Sequence, residues 1–135
     1  MSDWNKQVIA EFRASGGQVG GNYKNMTLLL LHTTGAKSGQ PRLNPVVYTE
    51  DNGRYVIIAS KGGAPSNPDW YYNLKAYPEV EVEVGTEQFK ARATIIEEPE
   101  RTRLYDQMAA QYPFFEEYRQ GTERQIPVIT LAALE

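Results

Sequence analysis

Short apolar runs and strict apolar–polar alternation, each closed by turn residues, dominate this chain, and they predict six strands at 27–33, 44–50, 54–60, 80–84, 89–96 and 126–131. The clearest is the fourth, where Glu79, Glu81 and Glu83 alternate with Val80, Val82 and Val84, giving one wet face and one buried face. Asp51-Asn52-Gly53 and Gly85-Thr86 are expected hairpin turns, because Asn and Gly tolerate the positive φ such loops require.

Helical periodicity is confined to a few places. Trp4, Val8, Ile9 and Phe12 form one stripe that Ser15-Gly16-Gly17 should end, leaving 1–15 as a helix and 16–26 as a flexible connector. Its cations are only Lys6 and Arg13, which favours a lid on the sheet over a membrane-surface helix. A second helix is expected over Asp69–Ala76, with Asn67 as N-cap, Pro68 at the first helical position and Asp69 in the first turn. A third should start near Pro99 and run to about Gln111, with Leu104, Met108 and Ala110 or Gln111 facing inward. Pro113 breaks it. Six strands, few helices and no βαβ rhythm predict one mainly β domain spanning all 135 residues, a small antiparallel barrel with an N-terminal helix and two or three outer helices.

Composition narrows the classes. The longest purely apolar run, Leu28 to Leu31, is far too short to span a bilayer, and the N-terminus lacks a secretory pattern. The absence of cysteine removes disulfides, thiolate catalysis and iron–sulfur ligation, and fits a reducing cytoplasm. Asn25-Met26-Thr27 matches a glycosylation sequon, which without a signal peptide is accidental. The net charge of −3 is uneven. Residues 12–68 hold six cations against Glu50 and Asp51, a balance of +4, and leave −7 for the rest. That pattern disfavours nucleic acid and suits a small anion held at one place.

Three basic turns close apolar runs between residues 28 and 70. Gly35-Ala36-Lys37-Ser38-Gly39-Gln40-Pro41-Arg42 resembles a Walker loop at first sight but lacks its glycines, since Ala36 and Leu31 stand where they belong. What remains is a turn with exposed amides, Lys37 as a point charge and Arg42 as a planar fork for phosphate or carboxylate. Ser60-Lys61-Gly62-Gly63 is a second such turn and Asp51-Asn52-Gly53-Arg54 a third; ordinary solvated hairpins would explain each alone. Trp70, Tyr71, Tyr72 and Tyr77 crowd one helix, where they read mostly as core. Tyr112, Phe115 and Tyr118 follow at i, i+3 and i+6 around a proline break, to wall a pocket for a flat substrate or to close the barrel end. His32 has no cysteine or second histidine to share a metal with, so it reads as a satisfied histidine and no metal site is expected.

The segments LLHTTGAKSGQPRLNPV, VIIASKGGAPSNPDWYYNLKAYPEVEVEVG, FKARA and YPFFEEYRQGTERQIPVITL together resemble the deazaflavin-dependent nitroreductases and quinone reductases of actinobacteria. The resemblance covers 28–131. It implies an FMN-binding split-barrel-like fold and coenzyme F-420, a deazaflavin carrying a phosphate and an oligoglutamate tail. Under it, Lys37 and Arg42 hold the phosphate and tail, with Gly35, Ser38 and Gly39 lending backbone. Asn44 and Pro45 line the approach to the ring; Ala59, Ser60 and Lys61 meet its edge; Asn67, Trp70 and Asn73 close the groove. Tyr112 first, then Tyr48 and Tyr118, are the implied proton or hydrogen-bond donors to a quinone, nitroaromatic or other electron-poor acceptor. Phe115 stands where nitroimidazole-reducing relatives have tyrosine. The resemblance also implies a cytoplasmic protein meeting the inner face of the cell membrane transiently, and a homodimer. Two rivals stay open: an FMN-binding oxidoreductase on the same barrel, and a non-catalytic deazaflavin carrier.

Overall fold

The computed structural model of the chain describes residues 3–19 and 26–134, with side chains from Asn5 onward. The side chain of Trp4, the connector from Gly20 to Asn25 and the asparagine of the sequon lie outside the described residues. The elements in order are α1 (Asp3–Ser15), β1 (Leu28–Thr34), β2 (Pro41–Val47), β3 (Thr49–Asp51), β4 (Arg54–Ile58), α2 (Asp69–Ala76), β5 (Glu79–Val84), β6 (Glu87–Ile95), α3 (Glu100–Gln111), α4 (Phe114–Gln120) and β7 (Val128–Ala133), with a 3-10 turn at Lys61–Gly63.

All seven strands form one antiparallel sheet in the order β2-β1-β5-β6-β7-β4-β3. Its two edges, β2 and β3, are consecutive in the chain, separated only by Tyr48. The sheet therefore curls back on itself, the geometry of a split barrel. The expected strand at 44–50 is thus two strands. The Tyr48 N–H still donates to the carbonyl of Thr27 at 3.1 Å, one step beyond the Leu28–Val47 pair, and the chain bends there as it leaves β1 to pair with β4 from Thr49 onward.

Alternation sorts the core into layers. Leu29 and Leu31 of β1 pack with Ile57, Val82, Ala91 and Leu131 inside the curl, which Trp70 and Leu74 of α2 close. Leu28 and Leu30 point the other way and meet Val8, Ile9 and Phe12 of α1, so the N-terminal helix is a lid on the sheet. Phe12 is 1% exposed, and truncating such a ring to alanine costs about 3–5 kcal/mol. Gly16 and Gly17, at φ 70° and 103°, end the helix, and the Gly17 N–H caps the Phe12 carbonyl at 2.8 Å. On the outer face of β4 and β7, Val56, Ile58 and Val128 are covered by Leu104, Tyr105 and Met108 of α3 and by Phe115 of α4.

Two local expectations are corrected. Tyr105, not Ala110 or Gln111, completes the inner face of α3, because the stripe follows Leu104 and Met108 around toward α4. With α4 after the Pro113 break, three helices among the described residues stand outside the barrel besides α1, within the expected number. Asn67 does not cap α2: Pro68 holds the N-cap position, and the Asn67 amide oxygen instead accepts a 2.6 Å hydrogen bond from Arg124. The Asn52-Gly53 turn is as expected, with φ of 51° and 79° at its two central residues.

Candidate active site

Pairing fixes which strand ends meet. Each neighbour runs antiparallel to the last from β1 through β5, β6 and β7 to β4, so β1 and β4 run in the same direction. Their C-terminal ends, followed by Gly35–Arg42 and Ser60–Gly63, therefore reach one rim of the barrel. The third basic turn is at the other end of β4, about 13 Å away at 3.3 Å per residue. Its Arg54 is committed to Asp51 at 2.8 Å, so two of the three turns converge rather than three.

Between the two turns lies the start of α2. Asn73, buried, docks this helix against the first turn: its amide oxygen accepts the Ala36 N–H at 2.9 Å and its amide nitrogen donates to the Thr33 hydroxyl at 3.1 Å. A cleft of about 560 Å³ opens beside it, lined by Gly35, Ala36, Lys37, Ser38, Arg42, Asp69, Tyr72 and Asn73. Among the described residues, ion pairs involve Arg13, His32, Arg54, Arg101, Arg103 and Arg119; Lys37 and Arg42 take part in none. Arg42 reaches only the Ser38 hydroxyl, at 3.5 Å. With Asp69 the single acid, this cleft presents two uncommitted cations and a net positive charge. A phosphate or carboxylate group fits that donor set.

On the other side of α2 is a cleft of about 400 Å³, walled by Met26, Pro45, Val46, Val47, Ile58, Trp70, Phe114, Phe115 and Tyr118 and edged by Ser60, Lys61, Gly62 and Pro68. Its far wall is aromatic, with Phe114 and Phe115 4.7 Å apart and Tyr118 within 5.6 Å of both. Its polar edge has a particular backbone. Ser60 is right-handed (φ −77°, ψ −36°) and Lys61 left-handed (φ 49°), the succession that turns consecutive amides toward one point. The turn's own bonds, Gly63 N–H to Ser60 C=O at 3.0 Å and Ala64 N–H to Lys61 C=O at 3.2 Å, do not use the amides of Lys61 and Gly62. Donors at one edge and flat apolar walls elsewhere suit a heteroaromatic ring.

The sequence-derived residues thus divide. Gly35, Lys37, Ser38, Arg42 and Asn73 meet in the cationic cleft; Pro45, Ser60, Lys61, Trp70 and Tyr118 meet in the aromatic one. Outside both stand Gly39, beside His32 and Pro41, and Asn44, paired with Leu31 in the sheet. Ala59 is fully buried, and Asn67 is held by Arg124. Tyr48 packs edge-on against Tyr55, and its phenol is raised above the ordinary tyrosine value, first by burial and then by Glu50. Tyr112 is buried and hydrogen-bonded to Thr27. His32 is satisfied, its Nε2 2.6 Å from Glu83. No group of His, Cys, Asp and Glu able to hold a metal occurs among the described residues. Sequence reasoning missed Arg124, Met26 and Tyr72. Arg124, between Glu123 and Gln125, reads locally as a solvated cation, and nothing in the sequence marks it.

A curled antiparallel sheet with these two clefts at one rim places the chain in the class of split-barrel proteins. A family model described as F420H(2)-dependent quinone reductase matches residues 4–133, and the chain belongs to that family. An F420H(2)-dependent quinone reductase of Mycobacterium tuberculosis (strain H37Rv) is 40% identical over 129 residues, covering 90% of this chain and 85% of the relative. A solved F420-H2 dependent reductase, FDR-A, is 41% identical with a TM-score of 0.71, over 77% of this chain and 92% of that one. Another solved structure, described as a domain-swapped dimer, is 35% identical with a TM-score of 0.73, over 96% and 97% of the two chains.

Proposed function

We propose that this protein transfers a hydride from reduced coenzyme F-420 to a quinone-like, nitroaromatic or other conjugated electron-poor acceptor. The observation that carries the reading is the pairing of an aromatic cleft with a cleft holding two acid-free cations, on either side of the start of α2. A ring alone would need only the first. The second fits a ligand with an anionic extension, as the phosphate and oligoglutamate tail of this deazaflavin provide.

Bound at this rim, the deazaflavin would supply the hydride. The protein's own contribution is orientation and electrostatics. Lys37 and Arg42 would hold the anionic extension, with the backbone at Gly35 and the Ser38 hydroxyl beside them. The amides of Lys61 and Gly62 and the Ser60 side chain would donate to the ring's polar edge. Trp70, Phe114 and Phe115 exclude water from the cleft and offer faces to a flat acceptor. Of the three tyrosines implied as donors, Tyr118 is the one that lines this cleft, and its hydroxyl would stabilise the charge developing on the acceptor's oxygen.

No helix among the described residues is long and apolar enough to cross a membrane. A lipid-soluble quinone would bring this protein to a membrane surface only transiently. A homodimer is part of the reading, supported by the 35% identical relative described as a domain-swapped dimer.

The test is a fluorescence titration with oxidised F-420 and, separately, FMN, followed by addition of menadione to the reduced complex. Preferential F-420 binding with rapid reoxidation by the quinone is expected. Binding without turnover would make the protein a carrier, and preference for FMN would make it a flavin enzyme.

A further inference from the structure

Arg124 lies in the segment between α4 and β7 and lines neither cleft, yet its guanidinium is the most heavily engaged on the rim. Its Nε donates to the carbonyl of Ala64 at 2.9 Å, and its Nη1 to the amide oxygen of Asn67 at 2.6 Å. Its Nη2 donates to the carbonyls of Ala59 at 3.1 Å and Ser60 at 2.9 Å. These acceptors span the whole turn that leads from β4 to α2. Of the seven arginines with described side-chain bonds, only Arg42 and Arg124 have no carboxylate partner; Arg13, Arg54, Arg101, Arg103 and Arg119 are all ion-paired. A part-buried guanidinium with only neutral acceptors forgoes Coulombic compensation. What it secures instead is backbone geometry.

That geometry needs securing. Lys61 is a non-glycine residue in the left-handed region, a conformation that costs roughly 1–2 kcal/mol, and Gly62 and Gly63 follow it at φ 65° and 82°. The turn also abuts α4 closely: a Cβ on Gly63 would stand 3.2 Å from the Cα of Tyr118. α4 is itself anchored on α3 from behind, by Arg119 reaching Asp106 at 2.8 Å and lying 4.6 Å from the centre of the Tyr105 ring. The turn and α4 are adjoining sides of the aromatic cleft.

We infer that Arg124 is a positioning residue that clamps the Ser60–Gly62 turn against the chain leaving α4, and so sets the amide edge and the width of the aromatic cleft. The inference rests on the proposed function for the identity of the ring. It separates the two parts of the ligand: Arg124 governs the ring, Lys37 and Arg42 the anionic extension.

The experiment uses Arg124→Met and Arg124→Lys in the full chain, with two probes followed by fluorescence: the tail-less 8-hydroxy-5-deazaflavin core and complete F-420. Hydrogen exchange at the Gly63 and Ala64 amides is measured alongside. Arg124→Met is expected to weaken both probes by the same factor, tenfold or more, leaving their affinity ratio unchanged, and to speed exchange at both amides. Arg124→Lys should fall between wild type and methionine, because an ammonium keeps the charge but cannot reach four separated acceptors. General loosening of the fold would weaken both probes by one factor too, so exchange is also followed at amides of β1 and β5, which the clamp leaves at their wild-type rates; faster exchange there would overturn the inference. Wild-type affinity for the core in Arg124→Met, or a changed ratio, would overturn the inference. If the wild-type protein binds neither probe, the proposed function fails instead. The exchange rates then decide alone: faster exchange at Gly63 and Ala64 in Arg124→Met upholds the clamp, and unchanged exchange removes it.

Discussion

The phenol oxygen of Tyr112 and the backbone N–H of Thr27 meet at 2.9 Å, joining the break after α3 to the residue that precedes β1. The Thr27 hydroxyl at 2.9 Å and the Gln111 amide at 3.1 Å share the same oxygen. Such a hydroxyl is occupied as an anchor, whereas Tyr118 lines the aromatic cleft. Tyr112→Phe should therefore lower stability by about 1 kcal/mol and leave the turnover number within about twofold. Tyr118→Phe should do the opposite, lowering turnover about tenfold or more with an unchanged melting temperature. Thermal melts and steady-state kinetics with menadione distinguish the two.

Among the described residues Lys37 and Arg42 have no acidic partner to satisfy, so removing them should leave the fold intact. Lys37→Ala and Arg42→Ala are each expected to raise the dissociation constant for F-420 by about tenfold, equivalent to about 1.4 kcal/mol. The loss should be larger for F-420 than for FMN, and wild-type affinity should fall with rising salt more steeply than that of either variant. Equal losses for the two ligands would move the anionic extension out of this cleft.

Adjacent glycines of the second turn should respond differently to the same substitution. Both have positive φ, so alanine is strained at either. A Cβ on Gly62 would meet nothing within 4 Å, while one on Gly63 would press on the backbone of Tyr118 at 3.2 and 3.4 Å. Gly62→Ala should thus cost about 1–2 kcal/mol of stability. Gly63→Ala should cost more and also weaken binding of the deazaflavin core, because α4 must give way. Urea denaturation and core titration would check both.

The Glu83 carboxylate accepts hydrogen bonds from Nε and Nη2 of Arg13, at 3.1 and 2.8 Å, and contacts His32, tying α1 to β1 and β5. The Arg13 hydrogen bonds hold its carboxyl below the ordinary glutamate value, with partial burial opposing and His32 assisting. A folded pKa below the unfolded one means that the contribution is complete above the unfolded value, about 4.3, and is lost as pH falls through the lower folded value. Glu83→Gln should accordingly melt below wild type at pH 7, and the gap should close as the pH is taken below about 4. A gap that persists in acid would mean that the site does not act through its charge.

Local patterning makes much of this fold readable. The alternation at 79–84, the Asn52-Gly53 turn and the Val8-Ile9-Phe12 stripe each have a physical cause within a few residues, and the structure realises them. What was hidden depends on partners far along the chain. NPVVYTE reads as one strand because what divides it is a change of partner at Tyr48, from β1 to β4, and both partners are set elsewhere in the chain. Asn67-Pro68 reads as a capped helix start, but Arg124, 57 residues on, takes the asparagine first. The two cationic turns were legible because each follows an apolar strand. Their convergence required the strand order, which periodicity does not contain.

The bend at Tyr48 carries a consequence for how two copies of this chain would exchange structure. Both outer margins of the sheet belong to one stretch, β2 and β3, joined through Tyr48. A chain that opened at that bend would carry one margin to its partner and leave the other behind. Aromatic-cleft residues Pro45, Val46 and Val47 travel on β2, and an intertwined pair would then build each cleft from two chains.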